Sequence, residues 1–364
     1  VQKAKSGHPG MPMGMADVAT VLWLKYLDHC PTRPDWVNRD RFVLSGGHGS
    51  MLLYSLLHLA GYDLPLAELQ QFRQWGSKTP GHPEVGHTPG VETTTGPLAQ
   101  GCGNSVGMAL AEQMLAARFN TPELQPVDHH TFVFAGDGDF MEGLSHEAFS
   151  LAGHLGLHKL ILFYDSNRIT IEGSTDLSYS DDVKRRFQGY RWDVIDIDGH
   201  DYDQIDRAIR KALRAEDKPT IIICRTHIAH GSPNKHDTAE AHGAPLGDDE
   251  VRASKRNLGL PEDELFHVPS RTRELFAARL KQLQRRKSAW DKLFAQYTAA
   301  NPDKAEQWKV FMENRLPENL EALLTVFDIT KPVATRSASG KVIQALADAI
   351  PNLVGGSADL APST

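Results

Sequence analysis

Gly136-Asp137-Gly138 and Asn167 have the residue types of a site for a metal ion and a diphosphate. The carboxylate of Asp137 and the amide oxygen of Asn167 are ligands that Mg²⁺ or Ca²⁺ prefers. Glycine lets the backbone approach a diphosphate closely, and a helix N-terminus beside it favours the anion. The plain alternative is an Asp-Gly hairpin turn. A helix follows this Asp-Gly rather than an antiparallel strand, which favours the site.

The elements around these residues form one βαβ unit. The pattern predicts a buried strand at Thr131–Ala135, a helix at Gly143–Leu155 and a second buried strand at Leu160–Tyr164. Asp137 and Asn167 then follow the carboxyl ends of two strands of one sheet. That edge is where open α/β sheets bind ligands.

Three further strands are predicted at Arg41–Leu44, Asp193–Ile197 and Thr220–Cys224, with helices between the strands, one of them at Leu66–Trp75. This alternation predicts an α/β fold with a mostly parallel sheet. The strands are nearly continuous apolar runs, so we expect helices on both faces. A last short strand is predicted at Leu353-Val354.

Other phosphate motifs are weaker. The sequence contains no GxxxxGK[ST] segment, which excludes a P-loop. The segment 101–107 resembles a dinucleotide fingerprint, but its spacing is off by one and no strand precedes it. We interpret it as a loop that allows close helix packing.

The 17 histidines are the unusual feature of the composition. His8 and His82 lie in Gly/Pro-rich loops rather than on apolar faces, which favours a functional role. His200 is predicted to be a turn residue. For His227, His230 and His236, no Cys or carboxylate spacing completes a metal site, and the sequence gives no account of them.

Composition limits the function classes. A net charge of −7 argues against a nucleic-acid partner. The apolar runs are too short to span a bilayer, so we expect no membrane partner. The three cysteines have no paired spacing, which argues against disulfides and structural zinc. They fit a reducing compartment, and we expect a cytoplasmic location.

Around the GDG…N motif, the sequence resembles the transketolases, which depend on thiamine diphosphate. Five further segments match in order along essentially the whole chain. These are Ser6-Gly7-His8-Pro9-Gly10, Thr79-Pro80-Gly81-His82-Pro83-Glu84, Thr95-Gly96-Pro97-Leu98, His242-Gly243-Ala244-Pro245-Leu246 and Gly355-Gly356-Ser357-Ala358-Asp359-Leu360.

The resemblance implies thiamine diphosphate and Mg²⁺ (or Ca²⁺) as cofactors, with roles that follow the matched motifs. Asp137, Asn167 and the backbone carbonyl of Ile169 would hold the metal ion. His8, His82 and His242 would act in catalysis. His8 and His242 would also contact the sugar substrate, and Arg336 and Ser363 its phosphate. The residues implied near the cofactor are His48, Gly96, Leu98, Gly136, Asp137, Gly138, Glu142, Asn167, His242 and Asp359.

Two residues depart from the family pattern beside the diphosphate loop. Asp139 stands where many relatives have a small neutral residue, and Ala99 replaces a common glycine. We expect these departures to affect cofactor affinity rather than the fold.

The resemblance also implies the domain organisation. We expect a diphosphate-binding domain at 1–270, a helical linker at 271–332 and the start of a pyrimidine-binding α/β domain at 333–364. In the family, the glutamate that activates the cofactor lies farther along that last domain than Thr364. We therefore expect a fragment with little activity alone, and a homodimer for the full-length protein.

The implied function is transfer of a two-carbon ketol group from a ketose phosphate to an aldose phosphate, in the pentose phosphate pathway. Three alternatives stay open or are weakened. A dihydroxyacetone synthase-like ketol transferase is hard to separate from this sequence. A deoxyxylulose-phosphate synthase is disfavoured by the motifs at His8 and His242. A non-catalytic binding module is disfavoured by the intact site residues.

Overall fold

The computed structural model describes residues 1–324, 331–357 and 359–361. The chain forms two compact units, Val1–Trp290 and Asp291–Thr364. The first unit is built on a parallel sheet, and the described residues of the second are helical or irregular.

The sheet of the first unit contains five strands: β1 (Arg41–Leu44), β2 (Thr131–Gly136), β3 (Leu160–Ser166), β6 (Asp193–Asp198) and β7 (Thr220–Arg225). Their order is β1-β2-β3-β7-β6, and all neighbours are parallel. A two-stranded hairpin, β4 (Ile169–Thr170) and β5 (Gly173–Ser174), follows β3. The five predicted strands are confirmed, and four of them run one or two residues beyond their predicted ends.

Alternating side chains of the strands enter two separate cores. Phe132 and Phe134 point to one core, and Val133 and Ala135 of the same strand point to the other. All four side chains are buried, because helices cover both faces of the sheet. The predicted α/β architecture is confirmed.

The first unit contains the following α-helices: α1 Gly10–Gly14, α2 Ala16–Val21, α3 Ser50–Ala60, α4 Leu66–Gln70, α5 Gln100–Phe119, α6 Asp137–Met141, α7 Gly143–Leu155, α8 Val183–Gly189, α9 Tyr202–Ala212, α10 Glu240–Gly243 and α11 Asp248–Asn257. Helices α1, α2, α3, α4 and α9 pack on the first core, and helices α5, α7 and α8 pack on the second.

Two predictions for this unit were wrong. Residues 101–107 are not a loop but part of α5. Glycine is needed there for packing rather than for a turn, because a Cβ on Gly101 would lie 2.5 Å from the backbone Cα of Ser45. The helix predicted at Leu66–Trp75 ends at Gln70, since the chain turns and Arg73 takes a left-handed φ of 61°.

The remaining helices are α12 (Ser270–Ala300), α13 (Pro302–Met312), α14 (Leu320–Leu323) and α15 (Thr335–Ala347). The strand predicted at Leu353-Val354 was wrong, since both residues are irregular and exposed. In the described part of the second unit no other strand is present to pair with them, and an unpaired strand leaves its backbone hydrogen bonds unmade. Across the described helices, none combines the length and apolarity needed to cross a membrane.

Candidate active site at the carboxyl edge of the sheet

A cavity of about 250 Å³ opens at the carboxyl ends of β2 and β3. The register aligns Gly136 with Asp165, so the loops after both strands meet at this edge as predicted. Most of the predicted site residues line the cavity: His8, His48, Gly96, Leu98, Gly136, Asp137, Gly138, Asn167, Ile169 and His242.

Asp137 has a buried carboxylate oxygen that a cation can satisfy. Its Oδ1 accepts a hydrogen bond from the Tyr164 hydroxyl, while its buried Oδ2 has no hydrogen-bond partner among the described residues. Burial raises the pKa of Asp137 to about 6, against the hydrogen bond from Tyr164. A buried, unpaired carboxylate oxygen is costly. A hard cation would satisfy it, so the residue fits the predicted metal site.

The backbone beside Asp137 leaves room for an anion. A Cβ built on Gly136 would meet no atom of the described chain within 4 Å, so this glycine borders open space. Gly138 lies against Leu98, whose Cδ1 would be 3.0 Å from an added Cβ. Side chains larger than glycine would therefore narrow the cavity at both positions.

Asn167 is held in one orientation by its neighbours. Its Nδ2 donates to Asp165 Oδ2 at 3.0 Å, and its Oδ1 accepts from the Ile169 N–H at 2.9 Å. Asp165 is fully buried and also accepts from the Thr226 hydroxyl. A second lone pair on Asn167 Oδ1 remains to bind a cation.

Asp165 therefore positions Asn167, a role that sequence reasoning missed. Burial raises the pKa of Asp165 to about 7, against the hydrogen bond from Thr226, and the nearby charge of Asp137 raises it further. The signal available in the sequence was a carboxylate at the end of an otherwise apolar strand.

Asp139 has a structural role that explains its departure from the family pattern. Its Oδ1 accepts from the Ser45 hydroxyl at 2.7 Å and from the Ala99 N–H at 2.8 Å. Its Oδ2 accepts from the Gly136 N–H at 3.0 Å. The buried carboxylate thus ties together the loops after β1 and β2 and the start of α5. Ala99, the second departure, takes a left-handed φ of 62°.

Four imidazoles, the pocket histidines, cluster at the cavity: His8, His48, His82 and His242. The ring centroids of His48 and His242 are 4.9 Å apart. The ring centroid of His8 lies 5.2 Å from that of His48 and 5.8 Å from that of His242. His82 does not line the cavity, but its ring is 6.5 Å from that of His8.

Burial keeps these imidazoles neutral. It lowers the pKa of His8 to about 4 and that of His48 to about 3, and the neighbouring His242 adds to both shifts. Burial also lowers the pKa of His82 and of His242. Neutral imidazoles can accept and donate protons at neutral pH.

Arg73 sets the tautomer of His8. Arginine can only donate, so its Nη2, 3.3 Å from His8 Nδ1, makes that nitrogen the acceptor. The proton of neutral His8 then sits on Nε2. Arg73 also donates to the Ser6 hydroxyl at 2.8 Å. Sequence reasoning did not find Arg73, which lies in a turn with no motif around it.

The other predicted site residues lie elsewhere. Glu142 is exposed between α6 and α7 and does not line the cavity. Arg336 and Asp359 are exposed in the second unit. Ser363 lies outside the described residues. The roles predicted for these four residues stay predictions.

Comparison with known proteins accounts for this arrangement. The family described as "Transketolase, thiamine diphosphate binding domain" matches residues 1–317. A transketolase of Halalkalibacterium halodurans is 52% identical over 364 residues, which cover 100% of this chain and 54% of that protein.

Solved structures agree in fold. A transketolase from Leishmania mexicana has a TM-score of 0.95 and 46% identity, covering 100% of this chain and 54% of its own. A Pichia stipitis transketolase, in complex with sedoheptulose-7-phosphate, has a TM-score of 0.94 and 42% identity. It matches 99% of this chain and 54% of its own. The chain spans about half the length of the curated relatives it matches, and it belongs to the transketolase family.

Proposed function

We propose that the protein carrying this chain is a transketolase. It transfers a two-carbon ketol group from a ketose phosphate to an aldose phosphate, as part of the pentose phosphate pathway. One observation carries the proposal: an unpaired buried oxygen of Asp137 and a cluster of neutral imidazoles border the same cavity. The oxygen of Asp137 suits a cation–diphosphate group, and the imidazoles suit a polyhydroxylated substrate.

The metal ion is Mg²⁺ or Ca²⁺, held by Asp137, Asn167 and the backbone carbonyl of Ile169. The donor set supports this, because hard divalent cations prefer carboxylate, amide and carbonyl oxygens. Gly136, His48 and His242 would lie near the diphosphate, and Gly138, Gly96 and Leu98 would be further contacts of thiamine diphosphate. When bound, thiamine diphosphate supplies the carbanion chemistry, and the protein supplies orientation and electrostatic support.

The pocket histidines hold and move protons on the substrate hydroxyls. His8 presents Nε2–H as a donor, because Arg73 occupies its Nδ1. His82 and His242 act as further proton donors or acceptors, since their neutral forms dominate at neutral pH. Burial lowers the pKa of both imidazoles, which leaves each ring neutral and able to accept a hydrogen bond or a proton.

Substrate phosphate and subunit contacts complete the proposal. Arg336 and Ser363 bind the sugar phosphate, to which an arginine is suited by its forked donors. Asp359 lies near the cofactor, and Glu142 supports the site at the contact within a homodimer. The three domains cover residues 1–270, 271–332 and 333–364. The three cysteines are free, buried thiols, which supports a cytoplasmic location.

The test is ketol transfer by the complete protein with His8→Ala and His242→Ala variants. We expect each to lower kcat/KM by about 100-fold, the usual contribution of a positioned acid or base. His154→Gln, at an exposed position on α7, is the control and should keep full activity. Unchanged kcat/KM in both alanine variants would remove the proposed histidine roles. Cofactor binding without any transfer would favour the non-catalytic alternative.

A further inference from the structure

A second group of histidines lies outside the cavity. We call His200, His227, His230 and His236, with Asp17 and Asp237, the outer histidine cluster. His200 and His230 have ring centroids 3.8 Å apart, and those of His227 and His236 are 4.6 Å apart. The sequence-based conclusion that no carboxylate completes a metal site here was wrong. Asp237 directly follows His236, and Asp17 comes from α2.

One half of this cluster is largely satisfied by its own hydrogen bonds. His200 Nδ1 lies 2.8 Å from Asp17 Oδ2, and His200 Nε2 accepts from the His227 backbone N–H at 3.2 Å. The other oxygen of Asp17 accepts from the Tyr202 hydroxyl at 2.8 Å. Both ring nitrogens and both carboxylate oxygens are therefore engaged. An ion among Asp17, His200 and His230 would have to break one of these contacts.

In the other half, two imidazoles meet at one carboxylate oxygen. His227 Nδ1 is hydrogen-bonded to Asp237 Oδ2 at 2.8 Å, and His236 Nε2 lies 2.8 Å from the same oxygen. An ion would replace these contacts too, but they are more exposed than the contact of His200 with Asp17. All three atoms lie within 4.8 Å of one another, a spacing that one ion of ordinary Zn–N and Zn–O bond lengths can bridge. The three side chains are 39–52% exposed, so an ion can reach them from solvent.

We propose that His227, His236 and Asp237 bind a divalent transition-metal ion of the Zn²⁺ class. Two imidazoles with one carboxylate are ligands that suit Zn²⁺, Co²⁺ or Ni²⁺ far better than Mg²⁺. Three protein ligands leave at least one position of the ion to water. The site is separate from the thiamine diphosphate cavity and does not depend on the proposed function.

The ion braces the segment between β7 and α10. His227 and Asp237 lie at the two ends of a loop that is already closed by an Asp237 N–H to Ile228 carbonyl hydrogen bond of 3.1 Å. Ile228, which directly follows His227, lines the cavity. Metal binding outside therefore stabilises the segment that forms part of the cavity wall.

The experiment is calorimetric titration of the metal-stripped chain with Zn²⁺, in excess Mg²⁺ to fill any oxygen-ligand site. We expect one Zn²⁺ per chain, and at least about tenfold weaker binding in His236→Gln and in Asp237→Asn. Co²⁺ added instead should give a visible absorption band that both variants lose. His154→Gln, an exposed histidine on α7, is the matched control and should bind as the wild type does.

Two results would overturn the assignment. One is Zn²⁺ binding that is absent in the wild type or unchanged in both variants, with circular dichroism confirming that all proteins are folded. The other is binding lost in His230→Gln but retained in His236→Gln. That result would place the ion in the half of the cluster with Asp17 and His200.

Discussion

The pocket histidines and the outer histidine cluster use the same residue type in opposite settings. In the described chain, no carboxylate forms a hydrogen bond with a pocket histidine, and His8 is paired instead with Arg73. In the outer cluster, Asp17 and Asp237 each lie 2.8 Å from imidazole nitrogens. Burial without a carboxylate keeps an imidazole neutral and free for proton exchange. Partnership with a carboxylate prepares it for a positive charge or a metal ion.

The loss of folding stability at low pH should show the largest difference between the two groups of histidines. Burial lowers the folded-state pKa of His48 to about 3, with help from His242, while the unfolded chain takes up its proton near pH 6.5. Stability from this residue is therefore complete above pH 6.5 and is lost as pH falls toward 3. Between pH 7 and 4.5 the loss is about 3 kcal/mol.

His48→Gln should remove that acid-dependent loss. Urea unfolding at several pH values measures it, and the variant should lose about 3 kcal/mol less than the wild type on acidification. His154→Gln, an exposed histidine, serves as the control and should follow the wild type. Identical pH profiles for His48→Gln and the wild type would mean that His48 takes up its proton as readily in the folded protein as in the unfolded chain.

Gly10→Ala should disturb both histidine groups together. An added Cβ would lie 2.5 Å from the Ile228 side chain and 2.7 Å from the Ala241 carbonyl, so the β7–α10 segment must move. We expect the free energy of unfolding to fall by about 2 kcal/mol, since overpacking typically destabilises a protein by this much. Thermal unfolding measures the change.

The matched control for Gly10→Ala is Gly107→Ala. Gly107 lies inside α5, and a Cβ there would meet no atom within 4 Å in the part of the chain that the structure describes. Alanine should therefore stabilise the chain by about 0.5–1 kcal/mol through helix propensity. If Gly10→Ala were equally stabilising, α1 would not be packed against the β7–α10 segment.

Asp17→Asn should have the smallest effect of the three. Burial opposes ionisation of Asp17, but hydrogen bonds from His200 and Tyr202 outweigh it and hold its pKa below the ordinary value. That stability is present above the unfolded pKa and is lost as pH falls through the folded pKa. We expect a loss of about 1 kcal/mol at pH 7 that disappears under acid, measured by urea unfolding.

Asp17→Asn also sharpens the metal assignment. Zn²⁺ binding by His227, His236 and Asp237 should change little, because Asp17 belongs to the half of the cluster that is satisfied without an ion. A drop in Zn²⁺ affinity as large as that of Asp237→Asn would contradict this division.

Much of the fold and the main site could be predicted from the sequence. The strands could be predicted because helices cover both faces of the sheet, so each strand is a continuous apolar run in the sequence. Asp137 and Asn167 were readable because parallel strands bring their carboxyl ends to one edge. Residues 101–107 were wrongly predicted to be a loop. In the sequence, a glycine needed for close helix packing cannot be told from a glycine needed for a turn.

The supporting contacts could not be predicted. Arg73 reaches His8 across 65 residues, and Asp139 reaches Ser45 across 94. Asp17 and His200 are separated by 183 residues. Such pairs depend on how loops and helices pack, which local pattern does not encode. Asp237 was different, because it stood beside His236 and was overlooked.

The most direct test of the account is calorimetric binding of thiamine diphosphate, with and without Mg²⁺, to the wild type and to Asp137→Ala. Glu147→Ala removes an exposed carboxylate on α7 and is the control. We expect binding that Mg²⁺ strengthens in the wild type and in the control, and that Asp137→Ala weakens by at least about tenfold. Equal affinity in Asp137→Ala, or wild-type binding that ignores Mg²⁺, would contradict the claim that Asp137 anchors the diphosphate through a metal ion.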